Sequence, residues 1–253
     1  MGDVYRAVDR EGGAAAAVKI LRAEYLTDDA MRRRFRREGA VLRALDHSGI
    51  VKLLEFGVDD DGLVYLVTEY VEGETLRERI QVGALEPEAV DTLLMPLCDA
   101  VGAAHAHGVI HGDLKPDNVV LVEGAPRLLD FGASKVLGLD RLTATGEVAG
   151  TPAYMAPELF AGKAEVDARI DVYGFGVVLY EALSGGQPFY EGHVGRSLLR
   201  IAAGDCLPLH TVSDTSAALS AVVHRAMHHD HESRYRTMGE LTDAWHAARG
   251  DAS

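Results

Sequence analysis

Two charged residues occupy positions that their neighbours in the sequence mark as buried. Lys19 lies near the end of the apolar run 16–20, and Glu38 follows Phe35 by three residues and precedes Leu42 by four, so its carboxylate shares the apolar face of a helix. Because a buried charge is costly without a partner, each of these charges predicts the other as its partner. Taken alone, the pair fits a structural salt bridge better than a catalytic arrangement.

Two loops carry the other side chains that could do chemistry. Residues 111–118 read His-Gly-Asp-Leu-Lys-Pro-Asp-Asn and precede the apolar run 119–122. Residues 130–132 read Asp-Phe-Gly and follow the run 127–129. Each loop therefore adjoins a strand-like segment.

These motifs, with Lys19, Glu38 and the later Ala-Pro-Glu at 156–158, occur in the order found in the protein kinases, and the chain resembles that family. The resemblance continues through segment 171–176 and Arg234, and it covers essentially the whole chain. The chain is most similar to the eukaryotic-like, or Hanks-type, bacterial serine/threonine protein kinases.

The resemblance implies a fold and a division of the chain. The expected fold is α+β, the two-lobed protein kinase fold. A small β-rich N-lobe would comprise residues 1–70 and a larger α-helical C-lobe residues 71–253, together one protein kinase domain. The expected hinge between the lobes lies near residues 69–73.

The resemblance also implies a catalytic role for four side chains. Asp113 would accept the proton of the substrate hydroxyl, and Lys115 two residues later is typical of the serine/threonine-specific type. Lys19 would contact the α and β phosphates of ATP and be held by Glu38. The implied reaction moves the γ-phosphoryl group of ATP to Ser or Thr hydroxyls of proteins, and the protein contributes positioning and charge neutralisation.

The same resemblance assigns a metal site and the region around the adenine. Asn118 and Asp130 would hold Mg²⁺, which prefers their oxygen ligands. Thr68 would be the gatekeeper, and Glu69 and Val71 the hinge whose backbone bonds adenine.

The remaining nucleotide contacts follow from the resemblance as well. Val4, Ala17 and Val120 would enclose the adenine ring, although these three residues also fit an ordinary core, and Glu74 would contact the ribose. The complete expected cofactor-binding set for ATP and Mg²⁺ is Gly2, Val4, Ala17, Lys19, Thr68, Glu69, Val71, Glu74, Asn118, Val120 and Asp130.

The catalytic loop departs from the family pattern at Gly112. Regulated protein kinases carry an arginine there that pairs with phosphate on the activation segment. We predict that Thr143 and Thr145 are autophosphorylated with little effect on activity, unless another cation captures the phosphate, Lys135 being the nearest in sequence. His-Gly-Asp followed by Asn also occurs in kinases of small molecules such as aminoglycosides, which stay an alternative.

A second departure concerns the phosphate-covering loop, of which only the end, residues 2–4, matches G-x-G-x-x-G-x-V. We expect Met1 to be an internal position of a longer natural chain, because every downstream catalytic position is intact. The alternative is a degenerate kinase, a nucleotide-binding pseudokinase or scaffold.

Periodicity predicts the elements that must position these residues. Strands are expected at 4–8, 14–21, 50–56 and 63–70, a first helix from 28 to 45, further helix from 86, and a fully buried helix over 172–183. The arginine-dense segment 32–37 on the first helix is interpreted as a solvated face in preference to a binding patch.

Composition limits the classes of partner. The net charge of −14 argues against nucleic acid or an anionic membrane, and the longest apolar stretch without a charge, 172–180, is far shorter than the roughly 20 residues of a membrane span. The two cysteines fit a reducing cytosol, so a cytoplasmic location is expected. The expected partners are proteins with Ser or Thr acceptors, and a second copy of the chain during autophosphorylation.

Overall fold

A computed structural model of the protein describes residues 2–131, 152–160 and 167–250. The strands are β1 Gly2–Val8, β2 Ala15–Leu21, β3 Leu53–Val58, β4 Val64–Glu69, β5 Glu74–Thr75, β6 Val119–Val122 and β7 Ala125–Leu128. The helices are α1 Asp29–Ala44, α2 Leu76–Val82, α3 Pro87–Leu93, α4 Met95–Ala106, α5 Pro157–Phe160, α6 Arg169–Ser184, α7 Val194–Ala203, α8 Ala217–Ala226 and α9 Met238–Arg249. The predictions at Thr143, Thr145 and Lys135 lie outside the described residues.

A four-stranded antiparallel sheet occupies the first part of the chain, in the order β1-β2-β4-β3. Its register sets Val4 opposite Lys19 and Ala17 opposite Thr68. Because paired residues share a face and side chains alternate along a strand, these four side chains lie on one face of the sheet. The register therefore brings together four residues of the expected nucleotide site.

Helix α1 packs on this sheet with Glu38 on its buried face. The Asp28 side chain caps the helix by accepting from the backbone N–H groups of Ala30 and Met31. A Cβ on Gly39 would lie 2.6 Å from the Phe56 ring, so the helix backbone approaches β3 closely. Only 2% of Glu38 is exposed, as the spacing predicts.

The larger, helical part of the chain surrounds α6, whose residues from Ile170 to Leu183 are all buried. A Cβ at Gly176 would lie 2.9 Å from Ala226 Cβ, so α6 and α8 pack with little room between them. A second antiparallel sheet of order β5-β6-β7 accompanies the helices. The predicted buried helix is confirmed, with slightly wider bounds.

The predicted start of β3 was wrong. The strand expected from residue 50 begins at Leu53, because Ile50 instead bridges Leu128 and the Val51 N–H donates to the Leu128 carbonyl at 3.0 Å. The prediction of helix from residue 86 is confirmed, since α3 begins at Pro87, and the structure divides this helical region at Leu94 into α3 and α4.

Candidate active site

Lys19 lies between two carboxylates that come from distant parts of the chain. Its Nζ donates to Glu38 Oε1 at 2.7 Å and also contacts Asp130. Strand β2 supplies the lysine, α1 supplies Glu38, and the segment after β7 supplies Asp130. The predicted pairing of Lys19 with Glu38 is therefore present, and it includes a third charge.

Burial and opposite charge compete in this cluster and shift all three pKa values. Burial raises the pKa of Glu38 to about 7, against the lowering effect of the Lys19 ammonium. The Asp130 side chain is still 46% exposed, and the loss of water on its protein side would raise its pKa. The Lys19 charge and the hydrogen bonds of the cluster more than offset that effect and lower the pKa of Asp130 to about 2. Burial lowers the pKa of Lys19, and the two carboxylates more than offset that effect, so this pKa is raised. The lysine is therefore charged at neutral pH.

A buried carboxylate, Asp171, holds the start of the loop 111–118 through hydrogen bonds to its backbone. Asp171 on α6 accepts the backbone N–H groups of His111 and Gly112, each at 2.7 Å. It also lies 2.7 Å from His105 Nε2. Gly112 has φ of +72°, a left-handed conformation that glycine adopts without strain. Asp171 is thus a structural anchor of the loop.

Asp113 and its neighbours form a short hydrogen-bonded group. Lys115 Nζ donates to Asp113 Oδ2 at 3.0 Å, and Asn118 Nδ2 donates to the Asp113 carbonyl at 3.0 Å. The Asp113 N–H donates to His111 Nδ1 at 3.2 Å. The arrangement combines a carboxylate with an ammonium group beside it, which suits proton acceptance next to a developing negative charge.

The Asp-Phe-Gly segment turns at its first residue. Asp130 has φ of +56°, and the following Phe131 side chain is fully buried. The His111 ring meets the Phe131 ring edge-on with centroids 4.9 Å apart. This packing links the segment that carries Asp130 to the catalytic loop.

A cavity of about 260 Å³ opens beside Lys19. The predicted residues that line it are Val4, Ala17, Lys19, Glu38, Thr68, Glu69, Val71, Asn118 and Asp130. Leu42, Val51, Leu66, Tyr70 and Leu129 also line it and were not predicted, although Leu129 directly precedes Asp130. The cavity joins an apolar portion to a charged end, which suits a nucleotide.

Three predicted cofactor-binding residues lie elsewhere. Val120 is buried and pairs with Thr75 between β5 and β6, and Glu74 is exposed at the start of β5. Gly2 does not line the cavity, and a Cβ there would lie 2.7 Å from the Ile20 carbonyl oxygen. Their roles toward ATP stay predictions.

The end of β4 is tied to the helical part of the chain through a residue that the sequence analysis missed. Arg127 on β7 contacts the Glu69 carboxylate and donates to the Ile50 carbonyl at 3.3 Å. Glu69 Oε1 also accepts the Lys52 N–H at 2.8 Å. The sequence signal that could have identified Arg127 was an arginine directly before the apolar residues Leu128 and Leu129.

A close backbone approach follows four residues after the end of β4. A Cβ on Gly73 would lie 2.2 Å from the Leu121 carbonyl oxygen and 3.0 Å from Val120 Cγ1. Only glycine fits between these atoms without a shift of the backbone.

Comparison with known proteins places the chain in a family. A family model described as the protein kinase domain matches residues 1–246. The chain belongs to the protein kinase family, which confirms the predicted resemblance and the α+β fold.

Curated relatives match almost all of the chain. Serine/threonine-protein kinase pkn2 of Myxococcus xanthus is 36% identical over 264 residues, which cover 100% of this chain and 31% of that protein. Serine/threonine-protein kinase PknB of Mycolicibacterium smegmatis is 35% identical over 249 residues, which cover 95% of this chain and 40% of that protein. The chain therefore spans less than half the length of these relatives.

Among solved structures, the kinase domain of Mycobacterium tuberculosis PknI gives a TM-score of 0.77 at 28% sequence identity, covering 99% of this chain and 91% of that one. Within the residues that the structure describes, no helix is long and apolar enough to cross a membrane.

Proposed function

We propose that this chain is an ATP-dependent protein serine/threonine kinase. The observation that carries the proposal is the convergence of Lys19, Glu38 and Asp130 on one cavity. Relatives named serine/threonine-protein kinases, at 35–36% identity, support the same activity.

The residues of the chain divide the reaction between them. The adenine of ATP would lie against Val4 and Ala17, and the Lys19 ammonium, held at 2.7 Å by Glu38, would attract the α and β phosphates. Asp113 would accept the proton of a Ser or Thr hydroxyl while the oxygen of that hydroxyl bonds to the γ phosphorus of ATP. The bond from that phosphorus to the bridging oxygen then breaks, and ADP leaves.

Lys115 would act on the group in transfer. Its ammonium lies 3.0 Å from the Asp113 carboxylate and so stays beside the reacting hydroxyl. A fixed positive charge there stabilises the negative charge that is shared over the phosphoryl oxygens during transfer.

Asn118 and Asp130 fit a Mg²⁺ ion. Both residues line the cavity, and the Asn118 amide nitrogen is already bonded to the Asp113 carbonyl, which leaves the amide oxygen as a ligand. Carboxylate and amide oxygens are the ligand types that Mg²⁺ prefers. The ion would supply charge neutralisation to the β and γ phosphates.

We propose the division into lobes at residues 70 and 71, since β4 ends at Glu69 and every described helix except α1 follows it. Proteins with Ser or Thr acceptors are the proposed substrates. A second copy of the chain is proposed as one such substrate, through autophosphorylation.

Transfer of label from γ-labelled ATP to an acceptor protein tests the proposal. We expect label in phosphoserine and phosphothreonine after acid hydrolysis, and we expect Asp113→Asn to lower kcat by at least about 10²-fold with ATP binding retained. Label only in small metabolites would indicate a small-molecule kinase. ATP binding without any transfer would indicate a scaffold.

A further inference from the structure

Helix α1 presents a row of positive charge on the side opposite Glu38. Arg33, Arg36, Arg37 and Arg43 are all exposed, and at about 100° per residue they fall within about 120° of one another around the helix. We call these four residues the arginine stripe.

Within the part of the chain that the structure describes, the arginine stripe has no charge partner. None of its four residues forms an ion pair or side-chain hydrogen bond with any residue in the ranges 2–131, 152–160 and 167–250. Arg200 and Arg249, on other helices, pair with carboxylates at 2.6 and 2.9 Å. The arginines of the stripe therefore differ from Arg200 and Arg249 in having no carboxylate partner among the described residues.

The stripe also opposes the stability of its own helix. Arg33 lies three and four residues before Arg36 and Arg37, so like charges are neighbours on the helix surface. Arg43 lies in the last turn, where the helix dipole favours a cation, so the repulsion is confined to Arg33, Arg36 and Arg37. A solvated face, as interpreted from the sequence, accounts for the exposure of these residues but not for their clustering.

We propose that the arginine stripe is a docking surface for an extended, acidic segment of a partner protein, rich in Asp and Glu. The helix rises about 15 Å from Arg33 to Arg43, which matches about five residues of extended chain. Guanidinium groups bind carboxylates in a two-pronged geometry, so each arginine can hold one acidic side chain.

Charge on the rest of the molecule favours a short segment over a large polyanion. The net charge of −14 includes the stripe, so the remaining surface is more acidic still. Nucleic acid or an anionic membrane would extend past the stripe and meet that repulsive surface. A peptide of a few residues fits on the stripe alone.

The test is binding of a fluorescein-labelled peptide of about eight glutamates, followed by polarisation at low ionic strength. The triple variant Arg33→Gln/Arg36→Gln/Arg37→Gln should bind at least about tenfold more weakly than the wild type. A version with Lys at the same three positions should bind more tightly than the Gln variant and more weakly than the wild type, because lysine keeps the positive charge but cannot make the two-pronged contact. Circular dichroism of each variant confirms that it is folded.

The matched control is Arg10→Gln/Arg196→Gln/Arg236→Gln, which removes the same charge from exposed positions elsewhere. It should change the affinity by less than about twofold. An equal loss in the control, or equal binding of a peptide of about eight glutamines, would overturn the proposal.

Two further results would assign the stripe to another occupant and so also overturn it. One is tighter binding of RNA or phosphatidylserine vesicles that is lost in the stripe variant. The other is a dimer, detected by sedimentation, that dissociates in that variant. Peptide binding requires no phosphoryl transfer, so failure here leaves the proposed kinase activity unaffected.

Discussion

The ammonium of Lys19 is shared by two carboxylates with opposite shifts in proton affinity. Glu38 is almost fully buried and its pKa is raised, whereas the pKa of Asp130 is lowered. Near neutral pH, Asp130 is therefore the carboxylate that keeps its charge, which is the state that a metal ligand needs.

Replacing Glu38 with Gln should flatten the pH dependence of stability between about pH 5 and about pH 8. The Glu38 pKa is higher in the folded protein than in the unfolded chain, so over this range the folded state binds more protons. The contribution of Glu38 to the free energy of unfolding therefore falls as pH rises. Urea denaturation of the wild type and the variant, at about pH 5 and about pH 8, measures the change in the free energy of unfolding.

Glu88→Gln is the control for this measurement. Glu88 is exposed and hydrogen bonds lower its pKa, so it stays ionised across the same range. If Glu38→Gln and the wild type show the same pH slope, the raised pKa of Glu38 is contradicted.

At the scale of elements, one buried ion pair joins α5 to the segment before α9. Arg234 Nη1 and Nη2 donate to the two oxygens of Glu158 at 2.7 and 2.8 Å. Arg234 is 1% exposed and Glu158 is 7% exposed. The pair therefore ties α5 to the segment that precedes α9.

Glu158→Gln should lower the free energy of unfolding by about 3–5 kcal/mol, because it leaves the Arg234 charge buried without its partner. The comparison variant is Glu88→Gln, which breaks the exposed pair with Arg249 and should lower the free energy of unfolding much less, because water and salt screen an exposed pair. Chemical denaturation of both variants checks the difference. Equal losses would mean that the buried pair does not hold α5.

The connection after β4 gives a second prediction at this scale. Gly73→Ala should destabilise the protein by about 1–3 kcal/mol, since the added Cβ collides with the Leu121 carbonyl. Gly83→Ala is the control, because nothing lies within 4 Å of a Cβ there. Thermal unfolding measures both variants, and a Gly73→Ala variant no less stable than Gly83→Ala would contradict the close approach.

Strong periodicity made α1 and α6 predictable from the sequence, because α1 buries one continuous face and α6 is buried all round. The start of β3 was not predictable. Ile50 is apolar, but it bridges Leu128 on β7 and does not belong to the four-stranded sheet. The motif residues of the site could be identified individually. Leu66 and Arg127 could not, because their place depends on strand register and on packing between distant segments.

The cavity depends on the whole molecule. It takes Lys19 and Thr68 from the four-stranded sheet, Glu38 from α1, and Asn118 and Asp130 from the helical part. Any regulation that moves these parts relative to one another would change the site.

Phosphorylation of the activation segment should change activity little. Gly112 has no side chain to capture a phosphate, so the phosphatase-treated protein and a Thr143→Ala/Thr145→Ala variant should both keep kcat/KM within about tenfold of the autophosphorylated protein. The measurement is made on one peptide substrate. A larger difference would mean that another cation captures the phosphate.

The central claim is that the cavity beside Lys19 binds ATP together with Mg²⁺, and titrating Mg²⁺ while measuring ATP affinity by calorimetry tests it most directly. In the wild type, affinity should rise with Mg²⁺. Asp130→Ala should lose most of that rise, because it removes the charged oxygen ligand of the proposed Mg²⁺ site. Lys19→Met should bind ATP more weakly but keep the rise with Mg²⁺, because a lysine ammonium is not a metal ligand. An Asp130→Ala variant whose ATP affinity still rises with Mg²⁺ as in the wild type would contradict the account.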